Sequence, residues 1–294
     1  PAFSLNLTAA TGNPQVTAVA ATEDAANVVT LWVASRSTAN NDEVARLGPG
    51  GVQIGAAIAL PQPVTATGGA TDLAVVQIPV PGPTPAVRTF VYSILDRRAA
   101  NGTVAMVAID ADQTTPSVDP TRQVTIPGAA IPGPGPLALA YSPHGDLGGG
   151  TFWITDQAGN ATEVTRRTGV VLRTLTAAAN NIPLGITGAT FDPFTAHYYW
   201  FSSLPTPTPQ GPTQIMIHEH DGYSLQPTGV LALGDTTIPN AGGPQGGVAR
   251  GLEMLRRNDS SFLLFAVQQA SGQSFLRAIR GPWRFGWSLL GRIG

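Results

Sequence analysis

An apolar or aromatic segment of strand length recurs five times along the chain, at intervals of roughly 45 to 65 residues. The five segments are Val28–Ser35, Thr89–Leu95, Thr151–Asp156, His197–Ser202 and Phe262–Val267. Shorter apolar segments lie on either side of each one, separated by Gly, Pro, Asn and Asp. No 3.6-residue period persists for three turns, so the segments are expected to be strands. The pattern predicts an all-β protein, a β-propeller of five four-stranded blades, with six blades as the alternative.

The fifth unit lacks an obvious fourth strand, and two segments compete to supply it. Phe3–Thr8 alternates apolar and polar residues and belongs to no other unit, whereas Phe285–Leu290 lies near the C-terminus. Closure by the N-terminal segment would cover two unpaired sheet edges at once. We therefore predict a propeller over residues 1–282 that the N-terminal strand closes. Residues 283–294 form an aromatic tail, either a docking segment or the closing strand.

One unit carries a family resemblance, over residues 137–176 (LALAYSPHGDLGGGTFWITDQAGNATEVTRRTGVVLRTLT). Its first strand ends in S-P-x-G, its second is aromatic and aliphatic and ends in Asp, its third follows Gly-Asn and its fourth follows T-G. The segment resembles one blade of the NHL-type and related bacterial propeller repeats. The resemblance implies a fold but no single activity, because such propellers include lyases, lactonases, hydrolases and binding modules.

Composition excludes several classes of function. The net charge is −2 and the longest basic features are the pairs Arg97–Arg98, Arg166–Arg167 and Arg256–Arg257, so no nucleic-acid partner is expected. The absence of Cys excludes disulfides, thiolate nucleophiles and Cys-based metal sites. No apolar run approaches the ~20 residues that span a bilayer, so the chain is not expected to be an integral membrane protein.

Two features favour contact with other protein subunits. All 16 basic residues are Arg, and Arg is enriched at interfaces where Lys is depleted, although a GC-rich coding sequence would also explain the lack of Lys. Aromatic and apolar residues crowd the tail, and a Pro-rich segment interrupts the fourth unit. The predicted partner-binding residues are Trp283, Phe285, Trp287, Leu290, Pro207 and Pro209.

The densest group of metal-capable side chains is His218, Glu219, His220 and Asp221. On a strand, His218 and His220 point to one face about 6.5–7 Å apart, which is a chelating geometry if a neighbour supplies further ligands. The competing interpretation is a hydrated, partly exposed strand.

Carboxylates near the predicted central channel offer a second chemistry. They are Glu23, Asp72, Asp146, Asp192 and Glu253. Such a set could hold Ca²⁺ or Zn²⁺ in a metal-dependent hydrolase or lactonase, but Asp192 beside Pro193 is equally explained as a turn residue. Carbohydrate could also bind through Trp32, Trp153 and Trp200, which blade packing explains as well.

These observations lead to a primary hypothesis and an alternative. The primary hypothesis is a non-enzymatic structural or binding β-propeller, without a cofactor, in a larger extracytoplasmic or virion-like assembly. Low charge, absence of Lys, the Pro- and Gly-rich connections and the aromatic tail motivate it. The alternative is the metal-dependent hydrolase or lactonase, with its site in the channel.

Overall fold

The computed structural model describes residues 3–13, 15–36, 42–61, 69–80, 86–204, 214–233, 248–257, 262–270 and 272–281. These residues form five four-stranded antiparallel sheets arranged as the blades of a β-propeller, as the sequence predicts. Short apolar segments between Gly, Pro and Asp turns favour this arrangement, because each sheet can bury both faces only against its neighbours.

The strands follow the repeat closely. At the N-terminus lies β1 (Phe3–Asn6). The first blade consists of β2 (Gln15–Glu23), β3 (Val29–Arg36), β4 (Asp42–Leu47) and β5 (Ile58–Ala59). The second consists of β6 (Ala70–Val80), β7 (Ala86–Arg97), β8 (Thr103–Asp110) and β9 (Val118–Pro127). The third consists of β10 (Ala138–Ser142), β11 (Thr151–Thr155), β12 (Ala161–Thr165) and β13 (Val171–Leu175). The fourth consists of β14 (Ile186–Asp192), β15 (His197–Leu204), β16 (Gln214–Asp221) and β17 (Pro227–Leu233).

The fifth blade is closed by the N-terminal strand. It contains β18 (Val248–Arg256), β19 (Phe262–Ala270) and β20 (Gln273–Gly281), with β1 as its outermost strand. Strand β1 pairs antiparallel with β20, and Leu5 lies opposite Leu276. The predicted closure by the N-terminal segment is therefore confirmed. The competing segment 285–290 and the whole tail 283–294 lie outside the described residues.

Three short helices join the described strands: α1 (Leu7–Thr11), α2 (Arg98–Asn101) and α3 (Ala177–Asn180). Asn6 caps α1, because its side-chain oxygen accepts a hydrogen bond from the amide of Ala9 at 3.0 Å. Within the described part of the chain, no helix has both the length and the apolar character needed to cross a membrane.

The core is divided among the blade interfaces. Buried apolar residues form five clusters, and each cluster joins two neighbouring blades around the ring. At the junction of the third and fourth blades, the rings of Trp153 and Tyr198 meet edge to face with centroids 5.6 Å apart. Burial at these interfaces holds the blades together, since each sheet alone would expose an apolar face.

The innermost strands approach one another closely at the centre of the ring. Adding a Cβ at Gly188 would place it 2.6 Å from the amide nitrogen of Leu252, and one at Gly251 would lie 2.6 Å from the Cα of Ala18. Only glycine permits backbones this close, so these positions set the narrow middle of the propeller.

Two inner strands bulge at corresponding threonines and reach the next blade. The register shifts around Thr71 in β6 and around Thr187 in β14. The Thr71 hydroxyl donates to the carbonyl of Leu137 at 2.7 Å, and that of Thr187 donates to the carbonyl of Ala249 at 2.8 Å. A bulge re-aims the side chain out of its own sheet, which makes these links between blades available.

Candidate functional site

A cavity of about 570 Å³ lies where the carboxyl ends of the five inner strands meet. We call it the central cavity. Every inner strand contributes to its wall, including Glu23 of β2, Gln77 of β6, Tyr141 of β10, Phe191 of β14 and Glu253 of β18. Its size is in the range of small-ligand sites.

Asp72 acts as a clamp between blades. It is fully buried in β6, where one carboxyl oxygen (Oδ2) accepts hydrogen bonds from the amides of Leu139 in β10 at 2.9 Å and Ala189 in β14 at 3.0 Å. The other oxygen (Oδ1) accepts from the amide of Leu73 at 3.0 Å. Burial raises the pKa of Asp72 well above its ordinary value, and the three backbone donors oppose that shift. The side chain therefore ties three blades together at the narrow middle of the ring.

Glu253 is a buried candidate carboxyl that lines the central cavity and, unlike Glu23, has no arginine paired with it among the described residues. Its side chain in β18 is only 5% exposed and lines the cavity. Burial, and then the nearby charge of Asp72, raise the pKa of Glu253 well above its ordinary value. A carboxyl in this environment favours its protonated form and can donate a proton or a hydrogen bond.

Glu23 and Asp192 are ion-paired at the edge of the central cavity. The Nε of Arg257 donates to Glu23 at 2.8 Å, and Nη2 of Arg256 donates to Asp192 at 2.7 Å. Asp192 also accepts from the amide of Phe194 at 3.0 Å and so caps the turn after β14, in line with its interpretation as a turn residue. These contacts give both carboxylates a clear structural function.

Asp146 lies apart from the other four carboxylates. It is exposed, in the turn between β10 and β11, and its φ of 49° is in the left-handed region. Asp, like Asn, tolerates this conformation better than most residues, which explains its presence in the turn.

The candidate carboxylates do not assemble a metal site. In the ranges that the structure describes, no three His, Asp or Glu side chains gather in a geometry that could hold a metal ion. Asp72 is saturated by backbone donors, and Glu23 and Asp192 face arginines. The described residues therefore do not fit Ca²⁺ or Zn²⁺ in the central cavity.

His218 and His220 lie on β16 with separate partners. Nε2 of His218 lies 2.9 Å from the Ser202 hydroxyl, and Nε2 of His220 lies 3.2 Å from the carbonyl oxygen of Asn181. His220 also packs edge to face on Trp200. Burial lowers the pKa of His218 to about 4 and lowers that of His220, so both rings are neutral at pH 7. The strand is more buried than the hydrated strand that the sequence suggested.

The other predicted contact residues divide into two groups. The three tryptophans Trp32, Trp153 and Trp200 are at most 2% exposed and pack between blades, so packing explains them and they offer no surface to carbohydrate. The predicted partner-binding residues lie outside the described part of the chain. They are Trp283, Phe285, Trp287, Leu290, Pro207 and Pro209.

A further cavity, on the opposite face from the central one, has a volume of about 1010 Å³. It lies between the first two blades and the connection to the third, and Asp96 and Arg98 line it together with the Gly- and Pro-rich segment 131–136. Arg98 is held by Asp96 at 2.7 Å and by the carbonyl of Ile131, also at 2.7 Å. This pair stabilises the connection from the second blade to the third.

A cluster of arginines that was not predicted from the sequence lies between the second and third blades. A cavity of about 440 Å³ there is lined by Arg88, Arg122, Arg166 and Arg167. The pair Arg166–Arg167 was a visible signal, but nothing in the sequence indicated that Arg88 and Arg122 would join it. Arg88 and Arg122 lie on the second blade, and the packing of that blade against the third brings them beside Arg166 and Arg167.

Comparisons with known proteins support the fold and leave the family open. No protein-family model matches the chain, and no curated protein matches it. Among solved structures, the tail fibre of a Staphylococcus aureus phage is similar with a TM-score of 0.51 and 11% identity, over 95% of this chain and 52% of that one. The chain therefore spans about half the length of that tail fibre.

Two enzymes with similar structures give lower scores. An α-L-arabinofuranosidase from Fusarium graminearum has a TM-score of 0.49 and 9% identity, over 91% of this chain and 93% of that one. A GH43 enzyme from Xanthomonas citri has a TM-score of 0.48 and 11% identity, over 95% and 89% of the two chains. The propeller fold that the blade resemblance implied is confirmed, whereas no match assigns the chain to the NHL-type proteins.

Proposed function

We propose that the protein is a non-enzymatic structural or binding β-propeller, a component of a larger extracytoplasmic or virion-like assembly. The observation that carries this proposal is how the inner-strand carboxylates are used. Asp72 clamps three blades, and Glu23 and Asp192 are paired with arginines. Carboxylates whose oxygens are already hydrogen-bonded or ion-paired within the protein are not available to act on a substrate.

Two further features support a place in an assembly. The chain has no Lys and only 12% charged residues, against roughly 25% in an average soluble domain. A phage tail fibre is an assembly of the proposed kind, and its similarity to this chain is one of fold. In this proposal other protein subunits dock on the aromatic tail, with Trp287 as the anchor and Pro207 and Pro209 as a second contact.

Native mass spectrometry of the protein isolated from its source tests the proposal. We expect a complex of fixed stoichiometry that Trp287→Ala removes, while the variant chain keeps the far-ultraviolet circular dichroism of the wild type. Tyr223→Ala is the matched control, because Tyr223 is an aromatic residue that is 76% exposed on the propeller itself. A wild-type protein that is monomeric in its source would contradict the proposal.

Glu253 supports a second candidate function, hydrolysis in the central cavity. A buried carboxyl with a raised pKa is suited to act as a general acid, and the ion-paired Glu23 lies on the same cavity wall. Since the described residues do not assemble a metal site, this candidate rests on acid–base groups of the protein alone.

A panel of chromogenic glycosides and lactones tests the second candidate. Glu253→Gln should lower kcat/KM by about 10²-fold or more if the carboxyl transfers a proton. Glu43→Gln is the control, because Glu43 lies on β4 and contacts Asn13 at 2.8 Å, away from the cavity lining. Absence of turnover by the wild type, or equal activity of wild type and Glu253→Gln, would contradict it.

A further inference from the structure

The cavity between the second and third blades, which we call the arginine cavity, has an unusual charge. Its described lining consists of Ile78, Pro79, Val80, Arg88, Phe90, Tyr92, Thr121, Arg122, Arg166 and Arg167. Four of these ten residues are arginines and none is acidic. It shares only Pro79 with the central cavity.

Arg166 is the buried member of the arginine cavity. It is 6% exposed, its Nε donates to the carbonyl of Gly149 at 2.9 Å, and it lies close to the side chains of Tyr92 and Tyr141. Burial raises the pKa of both tyrosines, so they stay neutral and do not cancel the charge of Arg166. A buried guanidinium that lacks a counter-charge is costly, and a bound anion would reduce that cost.

Fewer carboxylates than arginines form ion pairs at this cavity. Asp110 pairs with Arg88, and Asp119 pairs with Arg122 at 3.4 Å. Among the described residues, neither Arg166 nor Arg167 forms an ion pair. Two of the four arginines that line this small cavity therefore have no described carboxylate within ion-pair distance.

The guanidinium groups of Arg88 and Arg122, at the solvent side of the arginine cavity, are also held in position. The Phe90 ring, which is fully buried, carries Arg122 over it at 4.4 Å from the ring centroid and Arg88 at 5.2 Å. Such cation–π contacts restrict the long side chains before any ligand arrives. Planar guanidinium forks arranged this way match the paired oxygens of carboxylate, phosphate and sulfate.

We propose that the arginine cavity binds a small ligand through an oxyanion, which is a carboxylate, phosphate or sulfate group. The cavity volume of about 440 Å³ suits a ligand of monosaccharide size. Arg166 lies at the buried end and supplies fixed charge, while Arg88, Arg122 and Arg167 enclose the anion from the solvent side. This site goes beyond the proposed function, since it involves neither the tail nor the central cavity.

Isothermal titration calorimetry of the full chain at low salt tests the proposal. The probes are inorganic phosphate, sulfate, glucuronate and glucose 6-phosphate, with glucose as the neutral control. We expect saturable binding of at least one anionic probe at one site per chain, weakened by added NaCl, and no binding of glucose. Stronger binding of the acidic sugars than of the inorganic anions would identify the sugar as part of the ligand.

Substitutions place the binding in the cavity. Arg122→Gln and Arg167→Gln should each weaken binding about tenfold or more, because each removes one charged hydrogen-bonding group. Arg173→Gln is the matched control: Arg173 also lies on an outer strand, over the Trp153 ring at 4.9 Å and paired with Glu163, but outside the cavity. Arg167 is exposed, so its variant should keep the fold.

Three results would overturn the proposal. The first is the absence of saturable binding by every anionic probe. The second is equal weakening by Arg173→Gln and Arg122→Gln, which would indicate unspecific attraction to a basic surface. The third is binding of an acidic peptide, such as oligoglutamate, when none of the small probes binds, because that result would make the cavity a contact for a protein partner.

Discussion

Replacing Asp72 tests whether a single buried side chain holds the centre of the ring. Its carboxyl accepts three backbone hydrogen bonds, and two of them come from neighbouring inner strands. Asp72→Ala removes both acceptor oxygens and so takes the side-chain partner from three backbone N–H groups. Each unsatisfied buried donor costs about 1–3 kcal/mol, so we expect the free energy of unfolding to fall by about 3 kcal/mol or more.

Asp72→Asn distinguishes the contribution of the two hydrogen bonds between blades from that of the local one. The bonds from Leu139 and Ala189 both end on Oδ2, and the bond from Leu73 ends on Oδ1. An amide oxygen at the Oδ2 position keeps both contacts between blades and loses only the local one. We therefore expect a smaller loss for Asp72→Asn, about 1–3 kcal/mol.

Urea unfolding monitored by tryptophan fluorescence measures these differences, since Trp32, Trp153 and Trp200 are buried between blades. Asp24→Asn is the control, because Asp24 is exposed and accepts its two backbone bonds through the single oxygen Oδ1, at 2.9 Å each. The free energy of unfolding of Asp24→Asn should fall by no more than about 0.5 kcal/mol. A loss below about 1 kcal/mol for Asp72→Ala, or equal losses for the Ala and Asn variants, would refute the clamp.

Three further changes test the buried carboxyl of Glu253, the close approach of the inner strands and the closing strand β1. Because burial raises the pKa of Glu253 above 4.5, the folded state binds more protons than the unfolded chain above that pH, and wild-type stability should decline as pH rises toward the raised pKa. Glu253→Gln should flatten that decline in unfolding experiments carried out at a series of pH values above 4.5, and an unchanged pH profile would contradict this assignment. Gly251→Ala should lower stability by about 3 kcal/mol or prevent folding, because the new Cβ meets backbone at 2.6 Å. Gly48→Ala should cost far less in the same denaturation assay, because its nearest contact is the flexible Ile54 side chain at 3.3 Å and the nearest backbone atom is 3.7 Å away. Deletion of residues 1–6 should lower the unfolding midpoint strongly, because it exposes the edge of β20, whereas deletion of residues 283–294 should leave the propeller folded and remove assembly in native mass spectrometry. Unfolding on the second deletion would show that the tail belongs to the fold.

The sequence predicted the elements that depend on local patterns. The recurrent segments agree with strands of the structure: the predicted Thr151–Asp156, for example, corresponds to β11 (Thr151–Thr155), because turn residues and apolar runs mark its ends directly. Closure by the N-terminal strand was predictable for a similar reason. The segment at the N-terminus belonged to no unit, and the fifth unit lacked a fourth strand, so the one could complete the other.

The function of single carboxylates was not predictable in the same way. Asp72, Asp192 and Glu253 all lie on inner strands, and the sequence placed all three among the candidate channel carboxylates. The structure gives them three environments: a backbone clamp, an ion pair with Arg256, and a buried cavity wall. Which side chain faces the channel depends on register, and the bulge around Thr71 changes that register locally.

By itself the sequence determined the repeating unit, the fold class and the closing strand, because local patterning carries that information. Its composition, which includes no Cys, also excluded disulfides and thiolate chemistry. Only the tertiary structure decided what the charged residues do. Arg88 and Arg122 belong to one blade and Arg166 and Arg167 to the next, so their shared cavity arises where two blades pack. A site of this kind depends on contacts between residues distant in sequence, and on the desolvation that packing imposes on their charges.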